Sequence, residues 1–487
     1  MILRRGVAAR LRLRDLPMSV AAVEGMNSLS SPRDYYEFLR EQIRKSQKSI
    51  TLSALYLGSG PLERELVEEL RAALRRSAEL RLTVILDHSR AQRSSAPLEE
   101  LVDEFDGSRV KLLWYQMPQL RGLLSRVLPA QVCEILAVYH CKFNVFDGGV
   151  LLSGANLSEE YFVNRQDRYL FIPDGDGEES SLKLFLSRFV GLVEPHCHRV
   201  LPGRGVQPPP SATAAPAALR DLRRGLLELV LRPSSDEDPP GPQEQETTLL
   251  PLLQLAPAHV DHESAALPAL LQDAADSRLL QSVALSSPYP SLPPTLARAL
   301  HRLQVGTQVS ATILTSSLAT HGFSRATGAK ALVPLMHRQA LSDALELAAG
   351  GGGVRGEVGK TLYDRKDWTF HAKGLWLWLS SQPLSSSASS SAPAPQRAAS
   401  LVTYIGSSNL GERSWGRDFE LGFLLSTSNP RALEVLSGEY KHLLAHSRNG
   451  SSGGVNGDSA ADGAIPRVSE TMRKLVPALT KICRSFL

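Results

Sequence analysis

A histidine and a lysine two residues apart occur once in each half of this chain, and each pair is followed by an asparagine and then a carboxylate. The first set is His140, Lys142, Asn156 and Asp167; the second is His371, Lys373, Asn409 and Glu420. In both sets the acid lies eleven residues beyond its asparagine. One His-x-Lys in a chain of 487 residues is noise. Two with the same followers in the same order constrain the fold to a repeated half, and suggest a shared site for a phosphate.

The hydrophobic rhythm around the sets is that of an α/β protein. Strands are expected at 49–58, 80–87 and 109–116, helices at 61–77 and 97–105, two further strands around the first His-x-Lys, and a closing helix at 181–193. Residues 203–246 turn Pro/Ala-rich and then acidic, the composition of a linker with at most one short helix. The rhythm resumes with strands at 279–287 and 308–315 and helices near 293–303, 333–349 and 430–446. A Ser-rich insert at 380–400 explains why His371 and Asn409 are 38 residues apart where His140 and Asn156 are 16 apart. As a hairpin loop it would leave the core intact. The expected organisation is a basic N-terminus at 1–27, a first domain at 28–202, a linker at 203–246, a second domain at 247–446 and a C-terminal loop with an amphipathic segment at 447–487.

Composition narrows the functional classes. Apolar residues make up 43% and charged residues 21%, with a net charge of +4, which reads as globular and mildly basic. That suits an anionic substrate or a membrane surface, and lacks the basic stripe of a nucleic-acid binder. Four cysteines without C-x-x-C spacing argue against a disulfide framework or zinc site. His196-Cys197-His198 is ligand-like but adjoins Pro195, and reads as a loop or helix end. No run of eighteen apolar residues exists, against a transmembrane span. The first seventeen residues carry five arginines before Asp15 ends the acid-free stretch, the composition of a mitochondrial presequence.

On a strand, alternate residues share a face, so His140, Lys142 and Asn144 are expected to point one way and Tyr139, Cys141 and Phe143 into the core. His371 and Lys373 pair likewise. An ammonium beside an imidazole repels a metal ion but suits a phosphoryl group, so neither a metal nor a cofactor is expected. With two pairs around one phosphodiester, one histidine can attack phosphorus while the other moves protons. Asn156 and Asn409 would donate to non-bridging oxygens, and Asp167 and Glu420 would hold the imidazole tautomers. Arg413, Arg417, Arg165 and Arg168 are candidate cations for an anionic acceptor. The turn Gly58-Ser59-Gly60 is a weaker candidate for phosphate or nucleotide.

These residues resemble the phospholipase D superfamily, whose H-x-K-x4-D signature is complete as His140, Lys142 and Asp147. The second copy has Trp378 at the aspartate position, and the first asparagine turn reads Ser-Gly-Ala-Asn, one hydroxyl short of Gly-Ser-x-Asn. Within the superfamily the stretches SALYLGSGPLERELVEEL, LLSGANLSEEYFVNRQDRY, WTFHAKGLWLW and IGSSNLGERSWGRDFE resemble the eukaryotic phosphatidylglycerophosphate synthases. The resemblance implies two α/β domains, each a mixed sheet flanked by helices, packed with pseudo-twofold symmetry around one active site. It implies CDP-diacylglycerol and sn-glycerol 3-phosphate as substrates, Asp147 in the catalytic signature, and peripheral residence on the mitochondrial inner membrane. The complete first motif points to His140 as nucleophile and His371 as acid/base, with the reverse assignment open. Other readings are a different phosphatidyltransferase or phosphodiesterase (cardiolipin or phosphatidylserine synthase, nuclease) or a non-catalytic anionic-lipid binder. LRGLLSRVLPAQV (120–132) is a candidate interfacial helix.

Overall fold

The computed structural model describes residues 18–19, 23–105, 107–122, 127–175, 180–210, 215–230, 247–307, 309, 311–349, 358–382, 398–450 and 468–487. Two large mixed sheets organise them, and their strands run in the same order. The first sheet follows Val110–Tyr115, Arg81–Asp87, Ser49–Ser53, Phe143–Phe146, Gly149–Ser153 and Tyr169–Pro173. The second follows Gly359–Tyr363, Ala311–Ser316, Leu280–Ser286, Gly374–Leu379, Ser400–Gly406 and Glu420–Thr427. In both, the first three strands are parallel and the next three antiparallel. Helices between the parallel strands cover the faces, as right-handed crossovers demand. Pro61–Arg76 is one such helix: a proline opens it, and Leu66, Val67, Leu70 and Leu74 at helical spacing fill the core.

The Ser-rich insert joins antiparallel neighbours, with Leu379 paired to Ser400, at the place where Asp147-Gly148 makes a short turn in the first half. Residues 383–397 of that insert lie outside the described residues, as do the tetraglycine at 350–353 and the loop at 451–467.

Four expectations change. The strand Thr247–Leu255, with Pro251 at its centre, does not read as a strand in sequence. It pairs along its whole length with Glu420–Thr427, while its other side is covered by Met18–Ser19 against Leu249 and Thr248 and by Val260–Asp261 against Leu255 and Gln254. Pro251 falls in the gap between those two covers, where a missing N–H costs no ladder bond. The helix His262–Ser277 that follows also reads poorly, since Pro268 interrupts it. The linker contains a helix of 16 residues, Ala215–Val230, whose Leu222, Leu226 and Val230 join the main core. Finally, part of the N-terminal stretch packs into the fold: Met18 pairs on the second sheet and Met26 is fully buried, while residues 1–17 lie outside the described residues.

The two halves are tied by a buried strut. Arg168, from the first half, reaches Glu439 in the second at 2.7 Å, stacks on Trp376, and donates to the Tyr404 carbonyl. A fully buried guanidinium is tolerated because its nitrogens are satisfied.

Candidate active site

The His-x-Lys segments do not lie within their sheets. His140-Cys141-Lys142 is the extended lead-in to Phe143–Phe146, and His371-Ala372-Lys373 the lead-in to Gly374–Leu379. Each lead-in is instead bonded to the opposite half. Tyr139 bridges Phe419, and the His140 N–H donates to the Phe419 carbonyl at 2.9 Å. Thr369–Phe370 pairs in parallel with Arg165–Gln166, and the His371 N–H donates to the Gln166 carbonyl at 2.7 Å. Phe419 and Gln166 each stand one residue before a carboxylate.

That placement crosses the site. His140 Nδ1 is 2.9 Å from both oxygens of Glu420, and His371 Nδ1 is 2.7 Å from Asp167 Oδ2. Each half's acid therefore orients the other half's histidine, a relation invisible to spacing. Asp167 and Glu420 stand behind the imidazoles as positioning groups. With Nδ1–H donated to a carboxylate, each ring carries its lone pair on Nε2.

The two Nε2 atoms differ. Among the described residues none hydrogen-bonds that of His140. That of His371 faces the Tyr161 hydroxyl at 3.1 Å, which also receives the Asn156 amide at 3.2 Å. Asn156 spends its oxygen on the Leu55 N–H, whereas the Asn409 oxygen is buried without a partner. Leu410, just after Asn409, adopts a left-handed conformation (φ 55°) that a buried leucine accepts only where packing imposes it.

Both lysines are buried against backbone. Lys142 Nζ donates to the His140 carbonyl at 2.9 Å, and Lys373 Nζ to the His371 carbonyl at 2.6 Å and to Asp167 at 3.0 Å. Burial lowers Lys142 to about 7 and Lys373 to about 8, and raises Glu420 to about 7. Burial, then the adjacent lysine, holds both imidazoles well below their usual range, so both rest neutral. Neutral imidazoles beside buried ammonium groups make a site that gains from receiving an anion.

Other candidates fall elsewhere. Asp147, complete in the signature, accepts the N–H groups of Gln47, Lys48 and Ser49 at 2.6–2.9 Å and braces the loop before Ser49–Ser53. The Gly58-Ser59-Gly60 turn is a poor anion site. The Gly58 N–H is spent on the Leu157 carbonyl, the Glu63 carboxylate lies beside both glycines, and that of Glu159 lies beside Gly60. Arg413 pairs with Asp418 at 3.0 Å and donates to the Glu134 carbonyl, and Arg417 is pinned by Ser485 at 2.7 Å and stacks on Phe486. Arg168 is the strut. Only Arg165 of the four arginines flanks a histidine with charge to offer. His196 reaches Asp221 at 3.3 Å, and His198 reaches Gln116 at 3.1 Å.

The shorter first turn has a different reason from a lost phosphate donor. Ser407, the serine of the second turn, bonds Glu420. Gly154 takes its place in the first turn, where a Cβ would lie 2.9 Å from both Lys373 Nζ and Asp167 Oδ1. Tyr161 was missed, although one signal existed: it follows Asn156 by five residues, as Ser414, which holds the Asn409 backbone N–H at 3.2 Å, follows Asn409.

Two halves of like topology sharing one pair of crossed histidine–carboxylate couples define a phospholipase D-like protein. The fold matches that of a phosphatidylserine synthase from Haemophilus influenzae Rd KW20 with a TM-score of 0.71, covering 99% of this chain and 100% of that one at 17% identity. No protein-family profile matches. In sequence the chain is 31% identical over 458 residues to the mitochondrial CDP-diacylglycerol–glycerol-3-phosphate 3-phosphatidyltransferase of Bos taurus, covering 85% of this chain and 76% of that one. The human protein of the same name is 30% identical (86% and 77% covered), and that of Saccharomyces pastorianus 27% (86% and 82%). The chain belongs to the CDP-diacylglycerol–glycerol-3-phosphate 3-phosphatidyltransferase family.

Proposed function

We propose that this protein transfers the phosphatidyl group of CDP-diacylglycerol to sn-glycerol 3-phosphate, releasing CMP and forming phosphatidylglycerophosphate, through a phosphohistidine. The observation that carries the mechanism is the difference between the two Nε2 atoms. His140 Nε2, with its lone pair free and Nδ1–H held by Glu420, attacks the phosphorus bearing the diacylglycerol; the P–O bond to CMP breaks as the P–N bond forms. Lys142 and Lys373 neutralise the non-bridging oxygens, and the Asn409 amide donates to them. CMP departs as its anion; His371, neutral and backed by Asp167, then takes the proton of the acceptor hydroxyl on Nε2 as that oxygen attacks phosphorus and the P–N bond breaks, and releases it to solvent.

A lipid donor calls for a docking surface, and the reading places the enzyme peripherally on the mitochondrial inner membrane. No helix among the described residues is long and apolar enough to cross a membrane. The helix Glu470–Cys483 bears Met472, Leu475 and Ile482 outward, the last 75% exposed, beside Arg473, Lys474 and Lys481. Ala130–Leu136 adds exposed Val132 and Ile135. Arg413 ties Ala130–Leu136, and Arg417 ties Ser485 just beyond Glu470–Cys483, to the segment between Asn409 and Glu420, which supports an apolar, basic rim beside the site. Of the candidate helix over 120–132, residues 123–126 lie outside the described residues and Arg121 is buried against the Gln116 and His196 carbonyls.

The test is CMP release from CDP-diacylglycerol by the purified protein with a panel of acceptors. Release dependent on glycerol 3-phosphate is expected. Release with serine or water alone, or none with any acceptor, sinks the assignment.

A further inference from the structure

The machinery above neutralises the transferring phosphoryl group and leaves the acceptor's own phosphate unattended. Arg165 lies beside the proton-transfer histidine. Its Nε is held at 3.1 Å by Thr369, two residues before His371, and its Nη1 by Glu160 at 2.7 Å. Its guanidinium stacks 4.9 Å over Tyr161, whose hydroxyl touches His371. The remaining nitrogen, Nη2, turns toward Gly322. A Cβ there would lie 3.6 Å from Nη2 and 2.5 Å from the Tyr289 hydroxyl. The Gly322 backbone is not left-handed, so the close approach of the Tyr289 hydroxyl, and not conformation, is what calls for glycine.

The walls of this gap are rigid. Tyr289 stacks on His337 at 5.1 Å and meets His371 edge-on at 5.7 Å. His321, next to Gly322, accepts the Phe323 N–H at 3.0 Å on Nδ1 and bonds His337 at 3.1 Å through Nε2. Glu160, the counterion of Arg165, has a side chain 59% exposed and can move into water when another anion arrives.

We infer that Arg165 and Tyr289, converging over Gly322, form the subsite for the acceptor's phosphomonoester and so select a phosphorylated alcohol. The inference rests on the proposed transfer reaction and adds its specificity determinant. A phosphate held here keeps the other end of a three-carbon acceptor against His371, which must take its proton, and away from His140.

The test uses the full chain and three variants, Arg165→Lys, Tyr289→Phe and Gly322→Ala, the last filling the gap without removing a charge. Steady-state kinetics are read with glycerol 3-phosphate and with glycerol, and sn-glycerol 3-phosphate is titrated calorimetrically without donor. Losing one charge-assisted contact raises KM for glycerol 3-phosphate by about 10- to 100-fold. KM for CDP-diacylglycerol shifts far less, and the preference over glycerol collapses. Equal losses with both acceptors, or an unchanged KM, would mean a structural role and overturn the subsite. Absence of glycerol 3-phosphate binding to the wild type overturns it as well. Wild-type binding that the variants weaken, without turnover, overturns the proposed reaction and leaves the subsite standing.

Discussion

Replacing Glu420 by glutamine should silence attack at His140 while leaving the fold in place. Glu420 is fully buried, and both its oxygens lie 2.9 Å from His140 Nδ1. The Ser407 hydroxyl also holds Oε2. A glutamine of the same size keeps its carbonyl on that hydroxyl and turns its amide toward the ring. His140 must then accept at Nδ1 and carry its proton on Nε2, where attack on phosphorus is blocked. Exchanging carboxylate for amide behind a catalytic imidazole costs about 10⁴ in turnover, or about 5 kcal/mol of transition-state stabilisation at 1.36 kcal/mol per decade. Rapid-quench measurement of CMP should show the burst lost in Glu420→Gln, together with any acid-labile phosphoenzyme formed from labelled donor. Asp167→Asn perturbs His371 in the same way. CMP is a good leaving group that needs little protonation, so this variant should keep the burst and fail in transfer to the acceptor. A retained burst in Glu420→Gln with a lost one in Asp167→Asn would refute His140 as nucleophile and reverse the roles.

Further outcomes follow from the same geometry. Glu439→Gln leaves the Arg168 guanidinium buried and unpaired, so the melting transition should show a loss of about 3–5 kcal/mol, and pairing it with Arg168→Met should recover most of it. Asp147→Ala removes the acceptor for three backbone N–H groups and should cost about 1–2 kcal/mol of stability with kcat little changed; a loss of turnover in folded protein would return Asp147 to the chemistry. The donor's kcat/KM should fall as pH rises past about 7 to 8, where burial-lowered Lys142 and Lys373 lose their protons in the empty site. It should fall again below about 7, where Glu420 takes up a proton and ceases to orient His140. The bound phosphodiester favours charged lysines, so the alkaline limb of kcat should lie higher; a flat profile contradicts the assignment. Because two ammonium groups supply the charge on phosphate, chelation with EDTA should leave turnover intact, and strict Mg²⁺ dependence would sink the mechanism.

Much of this was legible in sequence because it is local. The paired His-x-Lys, the spacing from asparagine to acid, and the helices at Pro61–Arg76 and Ser181–Val193 follow from residue order and the 3.6-residue period. The strand Thr247–Leu255 escaped because it shows no polar–apolar alternation and carries Pro251, which only an interrupted strand neighbour makes harmless. The helix Ala215–Val230 escaped because its Pro- and Ala-rich surroundings resemble a linker until its leucines find a core.

By itself the chain's order of residues determined that there are two halves, that each brings a histidine and a lysine, and that the reacting group is anionic. Tertiary structure alone decided which acid serves which histidine, since both couples close between residues more than 200 positions apart and cross from one half to the other. It also decided that Asp147 braces a loop, that Arg168 is a strut, and that among the described residues one Nε2 has no partner while the other is held by Tyr161. Those choices depend on where buried polar groups find partners. That is a property of packing, and spacing along a chain does not encode it.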